Sequence, residues 1–337
     1  MRSSGSVVAP MWRRIAASLL AFLWAIAPAR AEVSELRIAR QYGISHLQMA
    51  LLEHFKLIER HATDVGLPDL KVSWTRFSDG PGMNEALLSG NLDIANGGLT
   101  ALIVLFDKSR GAYTGLAPLS AMPAILMMRR PGVRSVADLN ETDRIALVSR
   151  VSMQAIILRM FAQKALGKDK ATVLDALTVP LPHAEAMAAL IAGKSEITGH
   201  FTAAPFYQIE EAKGLNRILN SYDVLGGPAT YSVTWAARRF MSENPTVIKA
   251  VLAAIEDATR IIHDDPKRAS EAYIAAEGSS LDPALVERII RDPENIFTTT
   301  PQKVMTFVDF MAESGTVKQP PKSWKDLFPL LQDKGGS

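Results

Sequence analysis

Small and hydroxyl-bearing residues recur at three predicted strand-to-helix turns of the chain. Ser78 lies in the first turn, Gly98 and Thr100 lie in the second, and Ser152 lies in the third. Helix N-termini with free backbone N–H groups favour anions, and ligands of open α/β sheets bind beyond the carboxyl ends of the strands. Helix capping by these hydroxyl groups is the alternative for any single turn. Because three such turns occur, we predict that they share one ligand site.

Motifs for catalysis, nucleotide binding and metal binding are missing from the sequence. Gly193-Lys194-Ser195 resembles the end of a phosphate loop, but Ala188 stands where that motif needs a glycine. The chain has no cysteine, which excludes disulfides, thiolate nucleophiles and cysteine-ligated metals. Its histidines show no spacing typical of a zinc site; they are His46, His54, His61, His183, His200 and His263. We therefore predict no catalytic residue, no cofactor and no metal.

The spacing of apolar residues places the turns in an α/β fold. A strand is predicted at Leu36–Ala39, followed by a helix whose apolar residues between positions 47 and 58 share one face. A further strand, helix and strand are predicted between positions 71 and 96. This order is typical of a mostly parallel sheet with helices on both faces.

A second unit with the same order begins near position 145. It has a strand at 145–148, a helix from Met153 and a strand near Val179. The segments 86–94 and 189–197 share the pattern Ala-Leu-apolar-small-Gly-x-x-acid-Ile. This similarity indicates either an internal repeat or the usual form of a helix-to-strand joint.

Two extended stretches can connect the units, one between positions 116 and 128 and one at 225–232, where a Gly-Gly-Pro turn precedes a predicted strand. The chain after position 244 is predicted to be helical and to pack on the first unit. We therefore predict two lobes, the first formed by residues 32–119 and 229–337 and the second by residues 120–228.

The first 31 residues have the order of elements found in a secretory signal. Three arginines precede an apolar run over 15–27, and Ala29-Arg30-Ala31 supplies a small-x-small cleavage pattern. The run is shorter than the roughly 20 apolar residues that span a bilayer. We expect export to the periplasm and cleavage of the signal, by the general secretory route in preference to the twin-arginine route.

Cleavage of this signal changes the charge of the chain. It removes four arginines and no acidic residue, which leaves 33 basic and 35 acidic residues. No basic cluster with interleaved aromatic residues remains, so nucleic acid is not an expected partner.

The segment from Gly82 to Gly98, with its Ala-Leu-x-x-Gly-x-x-Asp-Ile phrase, and Ser135–Leu139 before the helix of Ser152 resemble the nitrate/sulfonate/taurine family of periplasmic binding proteins. The resemblance covers nearly the whole chain after the signal. It implies a two-lobed, type II-like periplasmic-binding-protein fold, with two hinge crossings and a ligand in the cleft. One segment departs from the family: where many sulfonate binders have a Trp-Asp-Pro-Tyr-like sequence, residues 200–206 read His-Phe-Thr-Ala-Ala-Pro-Phe.

The resemblance also implies which positions bind the ligand. Carried over by position, they are Gln41, Tyr42, Ser78, Gly98, Leu99, Thr100, Ser152, Met153, His200, Phe201 and Thr202. Arg150 is a further candidate because it directly precedes the helix of Ser152 and its guanidinium is suited to an anion. Arg40 and Arg76 follow by similar reasoning.

The function implied by the resemblance is capture of a small solute in the periplasm. The expected protein is a monomer without enzymatic activity, and it delivers its ligand to an ABC permease and the associated ATPase at the inner membrane. An anionic organic solute, sulfonate-, taurine- or nitrate-like, is favoured, while carboxylates and neutral pyrimidines remain open. Two alternatives remain: an enzyme similar to thiamine-pyrimidine synthases, which share the fold but use a cysteine-rich motif, and a ligand sensor for a signalling partner.

Overall fold

The computed structural model describes residues 32–337, so the predicted signal at 1–31 lies outside the described residues. The first of two sheets has six strands: β1 (Glu35–Arg40), β2 (Lys71–Arg76), β3 (Ile94–Gly98), β4 (Tyr113–Ala121), β10 (Thr230–Ala237) and β11 (Ile296–Phe297). Their spatial order is β11-β4-β10-β3-β1-β2. This sheet therefore combines strands from both ends of the described chain.

The second sheet is built from the middle of the chain. Its strands are β5 (Ile125–Met128), β6 (Ile145–Leu147), β7 (Thr178–Pro180), β8 (Gly199–Thr202) and β9 (Asn216–Asn220). They lie in the order β7-β6-β8-β5-β9. The chain passes between the sheets at 122–124 and at 221–229, close to both predicted crossings; the lobe boundaries themselves stay a prediction.

Parallel pairing is confined to three strands in each sheet. Strand β1 pairs in parallel with β2 and β3, and β6 pairs in parallel with β7 and β8. The remaining pairs, which involve β4, β5, β9, β10 and β11, are antiparallel. The two-sheet α/β architecture is confirmed, but the sheets are mixed where mostly parallel sheets were predicted. The reason is that each crossing segment leads into a strand, β5 or β10, that runs antiparallel to its neighbours in the sheet.

Helices flank the two sheets. They are α1 (Leu47–Phe55), α2 (Leu57–Asp64), α3 (Gly80–Leu88), α4 (Leu99–Ser109), α5 (Met153–Leu166), α6 (His183–Ala192), α7 (Phe206–Ala212), α8 (Ser221–Leu225), α9 (Arg238–Glu243), α10 (Pro245–Asp264), α11 (Pro266–Glu277), α12 (Pro283–Arg291), α13 (Val304–Glu313) and α14 (Trp324–Leu327). The helix predicted over 47–58 is divided into α1 and α2, because Lys56 adopts the left-handed conformation (φ 51°). As predicted, helices after position 244 pack on the first sheet's side, with α10 against α1 and α2.

The packing of residues 33–337 is continuous enough to form one compact unit. The last residues take part in it, because Val304 N–H donates to the Ser337 carbonyl (2.7 Å) and Ser337 N–H donates to the Pro301 carbonyl (3.1 Å). Within the described part of the chain, none of the helices has the length and apolar character needed to cross a bilayer.

Candidate functional site

A cavity of about 340 Å³ lies at the carboxyl ends of the two sets of parallel strands. All six of these strands contribute to its wall through the turns that follow them, as expected for a ligand site in an open α/β sheet. The residues after β1, β2 and β3 are Gln41, Tyr42, Gly43, Ser45, His46, Ser78, Gly80, Pro81, Thr100 and Ala101. Those after β6, β7 and β8 are Val148, Ser149, Val151, Ser152, Met153, Gln154, Pro182, His183, Ala184, Glu185, Ala203, Ala204 and Phe206. Gly98 and Tyr231, from β3 and β10, complete the lining of this cleft.

The structure brings most of the sequence-predicted site residues together at the cleft. These are Gln41, Tyr42, Ser78, Gly98, Thr100, Ser152 and Met153. Gly98 permits a close approach between the two sides, because a Cβ at this position would lie 3.0 Å from Met153 Cγ. The two sides also meet at Ile44, whose N–H donates to the Ala204 carbonyl (3.2 Å).

The other predicted residues do not line the cleft. Leu99 and Phe201 are fully buried in the hydrophobic core, and Arg150 is exposed outside the cavity. His200 and Thr202 are also fully buried, but both contact His183, which does line the cleft. Strand alternation explains the difference, since residues 200 and 202 share one face of β8 and Phe201 points to the other.

The predicted arginines are engaged elsewhere. Arg40 is buried, and its guanidinium lies 2.7 Å from Glu277 Oε1 and 2.9 Å from Glu53 Oε2. Arg76 lies 3.2 Å from the other Glu277 oxygen and covers the Tyr42 ring at 5.2 Å. Among the described residues that line the cleft there is no lysine or arginine. An anion in this cleft would therefore be held by neutral donors and helix N-termini.

Helix capping was the alternative role for the hydroxyls of Ser78, Thr100 and Ser152, and of these three only Ser152 is a cap. Ser152 accepts from the Ala155 N–H at the start of α5 (3.3 Å). Helix α3 is capped by Asp79, which accepts from the Gly82 N–H (2.8 Å), and the N-cap of α4 is Gly98. Thr100 is therefore a cleft-lining hydroxyl at the second position of α4, without a capping role.

Sequence reasoning missed seven polar residues of the cleft: Ser45, His46, Ser149, Gln154, His183, Glu185 and Tyr231. Gln154 Nε2 donates to the Tyr231 hydroxyl across the cleft (2.8 Å) and lies 3.2 Å from His183 Nε2. The signal for His183 was present, because Pro182 and His183 follow the predicted strand near Val179 and begin a fourth strand-to-helix turn. His46 and Tyr231 gave no comparable signal, since their positions depend on packing between distant segments.

Burial controls the ionisation of these cleft residues. It lowers the pKa of His46 to about 3 and holds the pKa of His183 well below its usual range. Burial raises the pKa of the Tyr231 hydroxyl. All three side chains are therefore neutral at neutral pH and can offer hydrogen bonds without a fixed charge.

Residues 30–276 match the family model of the NMT1-like family. The chain belongs to this family. A relative from Escherichia coli (strain K12), named "Putative aliphatic sulfonates-binding protein", is 28% identical to this chain over 227 residues, which is 66% of this chain. The alignment spans 65% of that relative's length, just under two thirds.

Solved structures show the same fold as this NMT1-like chain. The alkanesulfonate-binding protein SsuA from Xanthomonas axonopodis pv. citri, bound to MOPS, has a TM-score of 0.66 at 21% identity and covers 87% of this chain and 96% of its own. The periplasmic aliphatic sulphonate binding protein SsuA from Escherichia coli has a TM-score of 0.66 at 20% identity, with coverages of 88% and 92%. The fold of the NMT1-like chain is thus that of periplasmic binding proteins.

Proposed function

We propose that the chain is the periplasmic solute-binding component of an ABC importer and that its cleft captures a small organic anion of the sulfonate type. The observation that carries this proposal is the convergence of turns from both sheets on one cavity of about 340 Å³, a size typical of small-molecule sites. The N-termini of α4, α5 and α6 contribute Thr100, Ser152 and His183 to it. Helix N-termini of this kind favour negatively charged groups.

The relatives support the sulfonate class for the ligand. Their names describe binding of aliphatic sulfonates or alkanesulfonates, and one of them is bound to MOPS, itself a sulfonate. The same proposal includes location in the periplasm, a monomeric state and delivery of the solute to a permease and its ATPase. It also includes the lack of enzymatic activity. The predicted signal at 1–31 supports export.

A ligand screen tests the proposal. We expect 1-butanesulfonate or taurine to raise the thermal stability of the purified protein more than nitrate, a carboxylate or a neutral pyrimidine does. A ligand that binds only the native state adds about 2.7 kcal/mol at 100 times its dissociation constant. Mass spectrometry should recover the bound solute unchanged, and catalytic conversion would contradict the receptor function.

A pair of size-matched variants locates the site. Ser78→Trp fills the cleft, whereas Ser89→Trp adds the same side chain on the exposed end of α3. We expect only Ser78→Trp to abolish the thermal shift. If both variants respond to the ligand like the wild type, the solute binds elsewhere.

A further inference from the structure

A line of buried polar side chains runs from α7 to the cleft. Oε1 of Glu210 lies 2.6 Å from Nδ1 of His200, and Nε2 of His200 lies 2.8 Å from Nδ1 of His183. We call Glu210, His200 and His183 the relay. Glu210 and His200 are fully buried, and His183 alone of the three lines the cleft. The relay therefore connects a buried carboxyl group to the ligand cavity.

Each of the two contacts in the relay needs one donor and one acceptor, so it contains a single hydrogen atom. The relay therefore has two arrangements, which differ in the direction of both hydrogen bonds. When Glu210 is ionised, both rings donate toward it: His200 Nδ1–H donates to Glu210, and His183 Nδ1–H donates to His200. Nε2 of His183 is then an acceptor, which matches the neighbouring Gln154 amide nitrogen at 3.2 Å. The Thr202 hydroxyl, 3.2 Å from His183 Nδ1, can donate or accept and so fits either arrangement.

One added proton reverses the relay. The proton binds at His183 Nε2, the Nδ1 proton of His183 moves to His200, and the Nδ1 proton of His200 moves to Glu210. The charge of the relay changes from negative to zero, and His183 Nε2–H becomes a donor. It can then no longer accept from the Gln154 amide nitrogen at 3.2 Å, so the Gln154 amide must turn away or a ligand oxygen must take its place beside Nε2. A single proton therefore changes both the local charge and the hydrogen-bonding role of the residue that lines the cleft.

Burial favours the arrangement with the added proton. Glu210 Oε2 is buried and has no hydrogen-bond partner among residues 32–337, which costs a carboxylate far more than a neutral carboxyl group. Accordingly, burial raises the pKa of Glu210 to about 8 and lowers the pKa of His200 to about 3. Below about pH 8, Glu210 therefore holds the proton and His200 is neutral, so the relay carries no charge.

Other titratable groups near His183 do not account for a change of charge at the buried end of the cleft. His46 and Tyr231 face the cleft from the first sheet's side, and burial keeps both neutral. Tyr42 and Glu185 are exposed at the cleft, and the nearest arginine to Tyr42, Arg76, is paired with Glu277. Among the described residues at the buried end of the cleft, the relay is thus the group whose charge changes near neutral pH.

We propose that the relay selects the charge of the ligand: His183 donates from Nε2 to an anionic head group, and the relay takes up one proton when that anion binds to the ionised form. This inference rests on the proposed function, because it concerns the solute captured by the same cleft. An anion beside an ionised relay meets a like charge at low dielectric, whereas the neutral relay offers it a donor. A neutral solute has no such preference. His183 contacts the ligand, and His200 and Glu210 are positioning residues.

Calorimetric titration with 1-butanesulfonate tests the coupling. This probe keeps its charge throughout the assay, so a pH dependence of its Kd comes from the protein. We expect a Kd about tenfold higher at pH 9 than at pH 7, because binding and protonation are reciprocally linked and the relay ionises near pH 8. Titrations at pH 9 in two buffers of different ionisation enthalpy should show uptake of about one proton per ligand.

Two neighbouring residues provide a matched pair of variants. Glu210→Gln keeps the size of the side chain but cannot ionise, so its Kd should be equal at pH 7 and pH 9, with no proton uptake. Glu211→Gln alters a carboxylate that pairs with Arg217 at 2.9 Å outside the relay, and it should keep the tenfold dependence.

The outcomes separate this inference from the proposed function. Binding of 1-butanesulfonate with equal Kd at both pH values and no proton uptake overturns the relay and leaves the proposed function intact. A tenfold dependence that persists in Glu210→Gln overturns the relay as well. Failure of the sulfonate to bind at any pH contradicts the proposed function itself, and the coupling with it. The buffer comparison uses the wild-type protein, so it decides the question even if Glu210→Gln does not fold.

Discussion

The two sides of the cleft differ in whether their charged groups are connected to the cavity wall. On the side of the first sheet, Arg40 and Arg76 are neutralised by Glu277 away from the cavity, and neutral groups such as Thr100 form the wall. On the side of the second sheet, a buried carboxyl group is connected through two imidazoles to the wall itself. The difference indicates a division of roles: the first side supplies fixed donors, and the second side determines whether an anion is accepted.

The largest expected effect tests the structural role of charge on the first side. Arg40→Met removes the buried partner of Glu277 and of Glu53. Removing one partner of a buried ion pair costs about 3 to 5 kcal/mol when the other charge is left uncompensated, and the remaining pair of Glu277 with Arg76 brings the expected loss to the lower end of this range. We expect a loss of this order in the free energy of unfolding, measured with denaturant, and an unchanged Kd for 1-butanesulfonate.

The control for Arg40→Met is Arg239→Met, which removes an exposed i,i+4 pair with Glu243 and should leave the unfolding free energy nearly unchanged. A strong loss of affinity in Arg40→Met, with a stability close to that of the wild type, would show that the buried arginine acts on the ligand.

A smaller effect separates ligand contact from helix capping. Thr100→Val keeps the shape of the side chain and removes a hydroxyl without a capping role, so affinity for an anion should fall by about 1.5 to 3 kcal/mol while stability is retained. Ser152→Ala removes an observed cap and should lower the unfolding free energy by about 1 kcal/mol, with or without ligand. Calorimetry and ligand-free unfolding measure the two quantities. Unchanged affinity in Thr100→Val would remove this hydroxyl from the site.

A further effect concerns the second side and the pH dependence of stability. The pKa of Glu210 rises from 4.5 to about 8 on folding, so the folded protein holds a proton that the unfolded chain releases between these values. The resulting stability is fully present below pH 4.5 and is lost as the pH rises through 8. Between pH 6.5 and 8 the wild type should lose about 1.5 kcal/mol of unfolding free energy relative to Glu210→Gln.

The buried histidines cancel in this comparison because both proteins contain them. Parallel curves of unfolding free energy against pH for the wild type and Glu210→Gln would contradict the raised pKa of the buried carboxyl group.

The sequence predicted the parts of this molecule that depend on local patterns. Turns around Ser78, Thr100 and Ser152 follow directly from apolar periodicity and small residues, and the cleft contains all three. The relay could not be found in this way, because His183, His200 and Glu210 belong to different elements and share no motif. Their contact depends on which face of β8 packs against α6 and α7. Likewise, Arg40 was a reasonable candidate for an anion until packing placed Glu277 beside it.

The most direct test of the account is a crystal structure of the protein with 1-butanesulfonate at a concentration that saturates binding in solution. We expect sulfonate oxygens within hydrogen-bonding distance of the Thr100 hydroxyl on one side of the cleft and of His183 Nε2 on the other. A sulfonate bound outside the cleft, or bound in it without contact to either side chain, would contradict the account.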